Sequence, residues 1–413
     1  MNKRAYALVT AAYWGFTLSD GALRMLVLLH FHTLGYDAIQ LAFLFLLYEA
    51  CGILTNLFGG WLAARIGLKF TLWAGLFLQV IALSMLALLD PGWALGLSVA
   101  YVMTSQALSG IAKDLTKMSS KSAVKLLVPT AEETNDSSKR LLFTLVAALT
   151  GSKNALKGAG FFLGGLLLTT LGFAPSLWVM AGVLFVILVM SLILLRGDLG
   201  KSKAKPKVGS LFSKSPAINR LSLARFFLFG SRDAWFVVGL PIFLTETLAW
   251  NFSQTGAFLS AWVIAYGMVQ ALAPRFISRG DATKANADQT ISRAALIWGI
   301  ALAAVTFAIA LAVQFDWYLS IAVLAGLSLF GFLFALNSSI HSYLILAFSD
   351  SDQVALNVGF YYMANAGGRL LGTLLSGVMY LVGGLSACLW TSAVLVLIAA
   401  LLTRGLAKTE VST

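Results

Sequence analysis

Charge is what this chain has least of. Only 11% of its 413 residues are Asp, Glu, Lys or Arg, against about a quarter in an average soluble domain. Cysteine is nearly absent too. Cys51 and Cys388 lie singly in apolar runs, which excludes a disulfide framework and a paired-cysteine metal site. The three histidines, His30, His32 and His341, are too scattered for a metal cluster. No nucleophile–base pair and no phosphate-cradling glycine loop stands in a suitable context, so an enzyme is not expected, nor any cofactor. A cleavable leader is not expected either. Lys3 and Arg4 precede an apolar run too long for one, so the first helix is expected to stay.

What is present is grease. Hydrophobic residues make up 59% of the chain, more than one soluble core can hide, so the solvent must be lipid. The 37 glycines suit close helix packing in that solvent. Twelve stretches are long enough to span: 6–32, 39–64, 70–89, 93–112, 152–172, 174–195, 221–245, 254–274, 293–313, 317–347, 353–381 and 385–403. Residues 141–150 are apolar but short. They read as a surface helix or as an extension of the fifth span.

Topology accounts for most of the +12 net charge. With the N-terminus inside, the outer loops carry no basic residue, only Asp37, Asp90, Glu246 and Asp316. The positive-inside rule then puts both termini in the cytoplasm, in a multi-pass protein of the cell's inner (cytoplasmic) membrane. No nucleic-acid partner is needed to explain the charge. The anionic inner leaflet is the expected contact of the basic segments.

A basic linker, 197–217, divides the chain into an N-terminal six-helix bundle (1–196) and a C-terminal one (218–413). The halves are weakly similar: AGFFLGGLL (159–167) aligns with GGRLLGTLL (367–375), and LGYDAIQLA (34–42) with LAWNFSQTG (248–256). Both start inside, so the repeat is parallel. The fold class expected is an all-α membrane protein of twelve transmembrane helices in two parallel six-helix repeats. Such folds place their substrate near the midplane.

Within the spans stand Arg24, Lys153, Lys157, Arg225, Arg232 and Arg369, against Asp20, Glu49 and Asp233. Each costs at least about 2.5 kcal/mol at the bilayer centre unless it has a partner or a purpose. The cations outnumber the acids, which suits an anionic ligand, and guanidinium forks match phosphate-type oxygens. Arg24 and Arg232 are the first candidates for binding it, with Arg369 and Lys157 behind them. Asp20, Glu49 and Asp233 are candidates for proton coupling or for simple charge pairing. Arg225, Lys153 and Lys157 lie nearer the inner ends of their spans and read as snorkelling to the surface. Four lysines at steps of four, Lys113 to Lys125, form a stripe of about 120° on a helix. The stripe reads as the wet cytoplasmic end of span four or as a collector of anions.

Two local patterns point to a family. GGWLAARIGLK after span two resembles the G-x-x-x-D-R-x-G-x-K loop of the major facilitator superfamily. Gly60, Arg65, Gly67 and Lys69 match, which implies a gating loop, and Ala64 replaces the usual aspartate. GFFLGG (160–165) is similar to the G-P-x-x-G-G motif of the superfamily's antiporters, with Phe161 for proline. Longer stretches resemble the ArsJ-type organoarsenical efflux permeases: 12–36, 41–69, 110–129 and 149–165, and more loosely NAGGRLLGTLLSG (365–377). That resemblance implies export of 1-arseno-3-phosphoglycerate, made in the cytoplasm by a glyceraldehyde-3-phosphate dehydrogenase, and hence arsenate resistance. A monomer working by alternating access is expected. Alternatives are exchange or import of a phosphorylated metabolite, proton-coupled drug export, and a non-transporting membrane receptor.

Overall fold

A computed structural model describes residues 3–90, 92–125, 136–195, 215–277, 284–348, 354–404 and 406. All regular structure among them is helical. The helices are α1 (Lys3–Thr33), α2 (Ala38–Leu44), α3 (Leu46–Ile66), α4 (Leu68–Ala87), α5 (Leu95–Lys125), α6 (Asp136–Leu171) and α7 (Phe173–Leu194). After them come α8 (Pro216–Phe236), α9 (Gly239–Glu246), α10 (Phe252–Ile277), α11 (Lys284–Gln314), α12 (Leu319–Ala347) and α13 (Val354–Thr403).

Ten stretches of the described residues are long and apolar enough to cross a membrane. The last of them, Asn357–Thr403, has 47 residues and holds two spans. Its helix breaks at Gly383 and Gly384. Gly384 has φ +62°, a left-handed backbone that a residue without a Cβ adopts at little cost. Helix α1 is not among the ten, since Thr17, Ser19, Asp20 and Arg24 interrupt its apolar run, but its 31 residues exceed the length of a span. The expected twelve spans are thus all helical. The apolar segment 141–150 is part of α6, an extension of the fifth span. The linker expected at 197–217 lies outside the described residues up to 214.

The chain forms two compact units. The first holds Met1–His30, Leu54–Pro206 and Phe252–Gly267. The second holds Phe31–Ile53, Lys207–Asn251 and Met268–Thr413. Each therefore includes a segment from the other side of the expected linker.

Local chemistry explains the breaks and starts. Asp37 caps α2 in a capping box: its Oδ1 accepts from the Gln40 N–H at 2.8 Å, and Gln40 Oε1 accepts from the Asp37 N–H at 2.9 Å. The repeated N-x-x-Q at 251–254 stands at the start of α10. Span seven is split into α8 and α9 because Pro241 cannot donate to the carbonyl four residues back and its ring crowds that position. The N–H groups of Val238 and Gly239 then donate to Ser376 Oγ, at 3.2 and 3.1 Å. A hydroxyl on α13 so satisfies backbone that lipid could not.

Helix α13 packs against α8, α9 and α2 inside the second unit. The α8 contact is backbone to backbone. A Cβ on Gly368 would collide with the Phe226 carbonyl, and one on Gly372 with the Gly230 carbonyl. Lipid tails are as apolar as side chains, so close van der Waals approach is what holds such a pair. Gly372→Val is therefore expected to cost on the order of 1–3 kcal/mol through overpacking. A clear drop in the thermal unfolding midpoint of the purified protein would show it. An unchanged midpoint would mean the seam yields easily.

Candidate functional site

The second unit buries a chain of ions that joins three helices. Glu49 on α3 and Asp233 on α8 are fully buried. Arg369 on α13 lies between them, with Nη2 2.5 Å from Glu49 Oε1 and Nε 3.0 Å from Asp233 Oδ2. Asp233 also receives its neighbour Arg232, Nη2 to Oδ1 at 2.5 Å. Two acids and two arginines cancel. The Arg232 guanidinium carbon lies 4.9 Å from the Phe229 ring centre and 5.6 Å from that of Phe334, so aromatic faces flank the charge. The sequence left Glu49 open between proton coupling and charge pairing. The fold pairs it with Arg369.

Arg225 corrects an expectation. Instead of snorkelling to the surface it is 5% exposed. Its Nε donates to Asn365 Oδ1 at 2.9 Å, and its Nη1 to the carbonyl and the hydroxyl of Ser338, each at 3.0 Å. Facing α12 and α13, the side chain cannot turn to the membrane surface.

In the first unit, Asp20 on α1 meets Lys157 on α6, Oδ2 to Nζ at 3.5 Å. Lys157 therefore points inward as well, and does not snorkel. Arg24 is buried on α1, 8% exposed. The GFFLGG motif serves packing: Cβ atoms on Gly160 and Gly164 would collide with the carbonyls of Leu18 and Ala22 on α1. Gly67 of the expected gating loop has φ +93° where α4 begins, a backbone that favours glycine. Lys69 Nζ sits 4.6 Å from the Trp73 ring centre. Gly60 and Arg65 belong to α3, and the Arg65 side chain lies outside the described residues.

One acid escaped the sequence reading. Asp114 is fully buried on α5, where it accepts from Asn56 Nδ2 at 3.1 Å and from Lys117 Nζ at 2.6 Å. Lys117 also donates to Asn56 Oδ1. This member of the lysine stripe is turned inward. An acid three residues before a lysine was the available signal. Helix α5 does run unbroken through the stripe to Lys125.

Helical spans with buried, internally paired ions describe a membrane protein whose interior handles charge. A family model of the Major Facilitator Superfamily matches residues 5–341. The chain belongs to the Major Facilitator Superfamily. Three solved structures share its fold. A bacterial homologue of the iron transporter ferroportin in the inward-facing state is 16% identical, with TM-score 0.69, covering 98% of this chain and all of that one. The outward-facing state of such a homologue gives 14% and 0.69, over 98% of this chain and 100% of the other. A POT family transporter in complex with 5-aminolevulinic acid gives 14% and 0.71, over 99% of this chain and 97% of the other. None of the curated proteins matches the chain by sequence. Among the described residues no three His, Cys, Asp or Glu side chains gather as a metal site would need.

The chain is thus a multi-pass membrane transporter of the superfamily's type, and the buried acids Glu49 and Asp233 hold Arg232 and Arg369 in place. Removing one member of such a chain strands a buried charge, at a cost of about 3–5 kcal/mol. Arg369→Met should therefore unfold at markedly lower temperature. Glu49→Gln combined with Arg369→Met should recover part of the loss. A double variant no better than the single one would show that Glu49 is not Arg369's counter-charge.

Proposed function

We propose that this transporter exports an organoarsenical anion, 1-arseno-3-phosphoglycerate, from the cytoplasm by alternating access, and so confers arsenate resistance. The observation that carries the reading is the charge of the spans. In the second unit's spans three arginines, Arg225, Arg232 and Arg369, stand against two acids, Glu49 and Asp233. In the first, Arg24, Lys153 and Lys157 on α1 and α6 stand against Asp20 on α1, while Asp114 on α5 is matched by Lys117. The second unit's excess cation calls for a negative charge in lipid, and a cargo carrying a phosphate and an arsenate ester would supply it. The resemblance of four long stretches to ArsJ-type permeases supplies the arsenic. Trivalent arsenic would call for several thiolates. Cys388 is buried and donates to the Ser376 carbonyl at 3.5 Å, and Cys51 stands on another helix.

In this reading Arg24 and Arg232 bind the anionic groups, with Arg369 and Lys157 assisting. Asp20, Glu49 and Asp233 hold these cations while no cargo is bound, and protons on them couple transport. A glyceraldehyde-3-phosphate dehydrogenase supplies the cargo. The protein is a monomer of the inner membrane with both termini in the cytoplasm. Exchange of a phosphorylated metabolite would use the same arginines. Dependence on arsenate and on the dehydrogenase separates the two.

An arsenate-sensitive cell carrying the transporter together with the dehydrogenase should become resistant, and should remain sensitive with either alone. Resistance without the dehydrogenase would overturn the cargo. Arg24→Ala and Arg232→Ala proteins that insert normally should each lose about tenfold or more of uptake into everted vesicles, the worth of one charge-assisted contact. Full uptake by either variant would remove that residue from the site.

A further inference from the structure

We infer a phosphate-type oxyanion subsite at Arg225, inside the second unit. The inference rests on the reading of the chain as an anion transporter and names a binding residue of it. Arg225 differs from Arg232 and Arg369 in the charge of its partners. Among the described residues no carboxylate lies within ion-pair distance of it. Its hydrogen-bond acceptors, Asn365 Oδ1 and the two oxygens of Ser338, are neutral. Its guanidinium carbon lies 4.0 Å from the Phe229 ring centre and 5.1 Å from that of Tyr361. Neutral oxygens and aromatic faces orient a guanidinium but do not cancel its charge, and an uncompensated buried ion is strongly disfavoured.

The geometry leaves donors unspent. A guanidinium has five N–H groups in one plane. Nε and Nη1 are engaged, while Nη2 makes no hydrogen bond among the described residues. One turn earlier on α8, the Ser222 hydroxyl is buried and has no hydrogen-bond partner either. Residues three apart on a helix share a face, so Ser222 and Arg225 project from the same side of α8. Ser222 also lines a cleft of about 560 Å³, together with Ile53, Asn219, Phe226, Met363 and Gly367. Two N–H donors of one guanidinium, a hydroxyl and a compensating negative charge are what a phosphate monoester needs and supplies. The phosphate of a soluble cargo and the headgroup of an anionic lipid share this chemistry. The burial of Arg225 among α8, α12 and α13 favours the soluble anion.

Inorganic phosphate is the probe, added to the full-length protein in detergent at fixed ionic strength, with chloride as control and thermal unfolding as readout. Phosphate should raise the midpoint of the unsubstituted protein with a saturable concentration dependence. Arg225→Gln should weaken apparent phosphate affinity by about tenfold or more. Arg225→Lys, which keeps the charge but not the fork, should weaken it less. In the absence of phosphate both variants should unfold no earlier than the parent, because the burden of an uncompensated cation is lifted or unchanged. A purely structural arginine predicts the reverse: lower midpoints without phosphate and an unaltered phosphate response. That outcome overturns the subsite, as does a parent protein that phosphate does not stabilise. A stabilisation obtained only with phosphatidylglycerol overturns the soluble anion. Arsenate resistance is measured separately, so phosphate binding at Arg225 without resistance would sink the arsenical cargo and leave the subsite standing.

Discussion

Arg369 held between Glu49 and Asp233 is the contact on which the second unit turns. In lipid no water is available to solvate a charge, so an ion inside a span must find its opposite or be expelled. Arg369 finds two, on α3 and α8, at 2.5 and 3.0 Å. Those distances are possible only because α8 and α13 approach to backbone contact at Gly368 and Gly372. The glycines come first in the causal order: they set the separation, the separation sets the ion pairs, and the ion pairs fix where Arg232 can point.

The same logic separates the arginines by task. Arg232 and Arg369 are matched to acids and can yield to a cargo only by giving those acids up. Arg225 has neutral partners and nothing to release. The split of span seven into α8 and α9, a few residues beyond Arg232, adds a further joint. A break there frees two N–H groups, and Ser376 takes both.

Much of this was legible along the chain. Spans were visible as apolar runs, because their length is fixed by bilayer thickness and not by tertiary detail. The start of α2 could be read from Asp37 and Gln40, since a capping box is local. The ions of the spans were visible as exceptions to their surroundings. What each ion does was not. Arg225 read as a snorkelling side chain from its place near a span end, yet it faces α12 and α13. Asp114 was overlooked because the lysine stripe around it looked like surface, although its partner Asn56 lies on α3.

The sequence by itself determined the solvent, the helical spans and the superfamily, since all of these depend on composition and spacing within single segments. Only the tertiary structure decided which charges meet. Glu49 and Arg369 are 320 residues apart, and Arg225 and Asn365 are 140 apart. Nothing in either local stretch encodes the other. An ion pair is settled by helix rotation and separation, and these follow from how small residues let the backbones close.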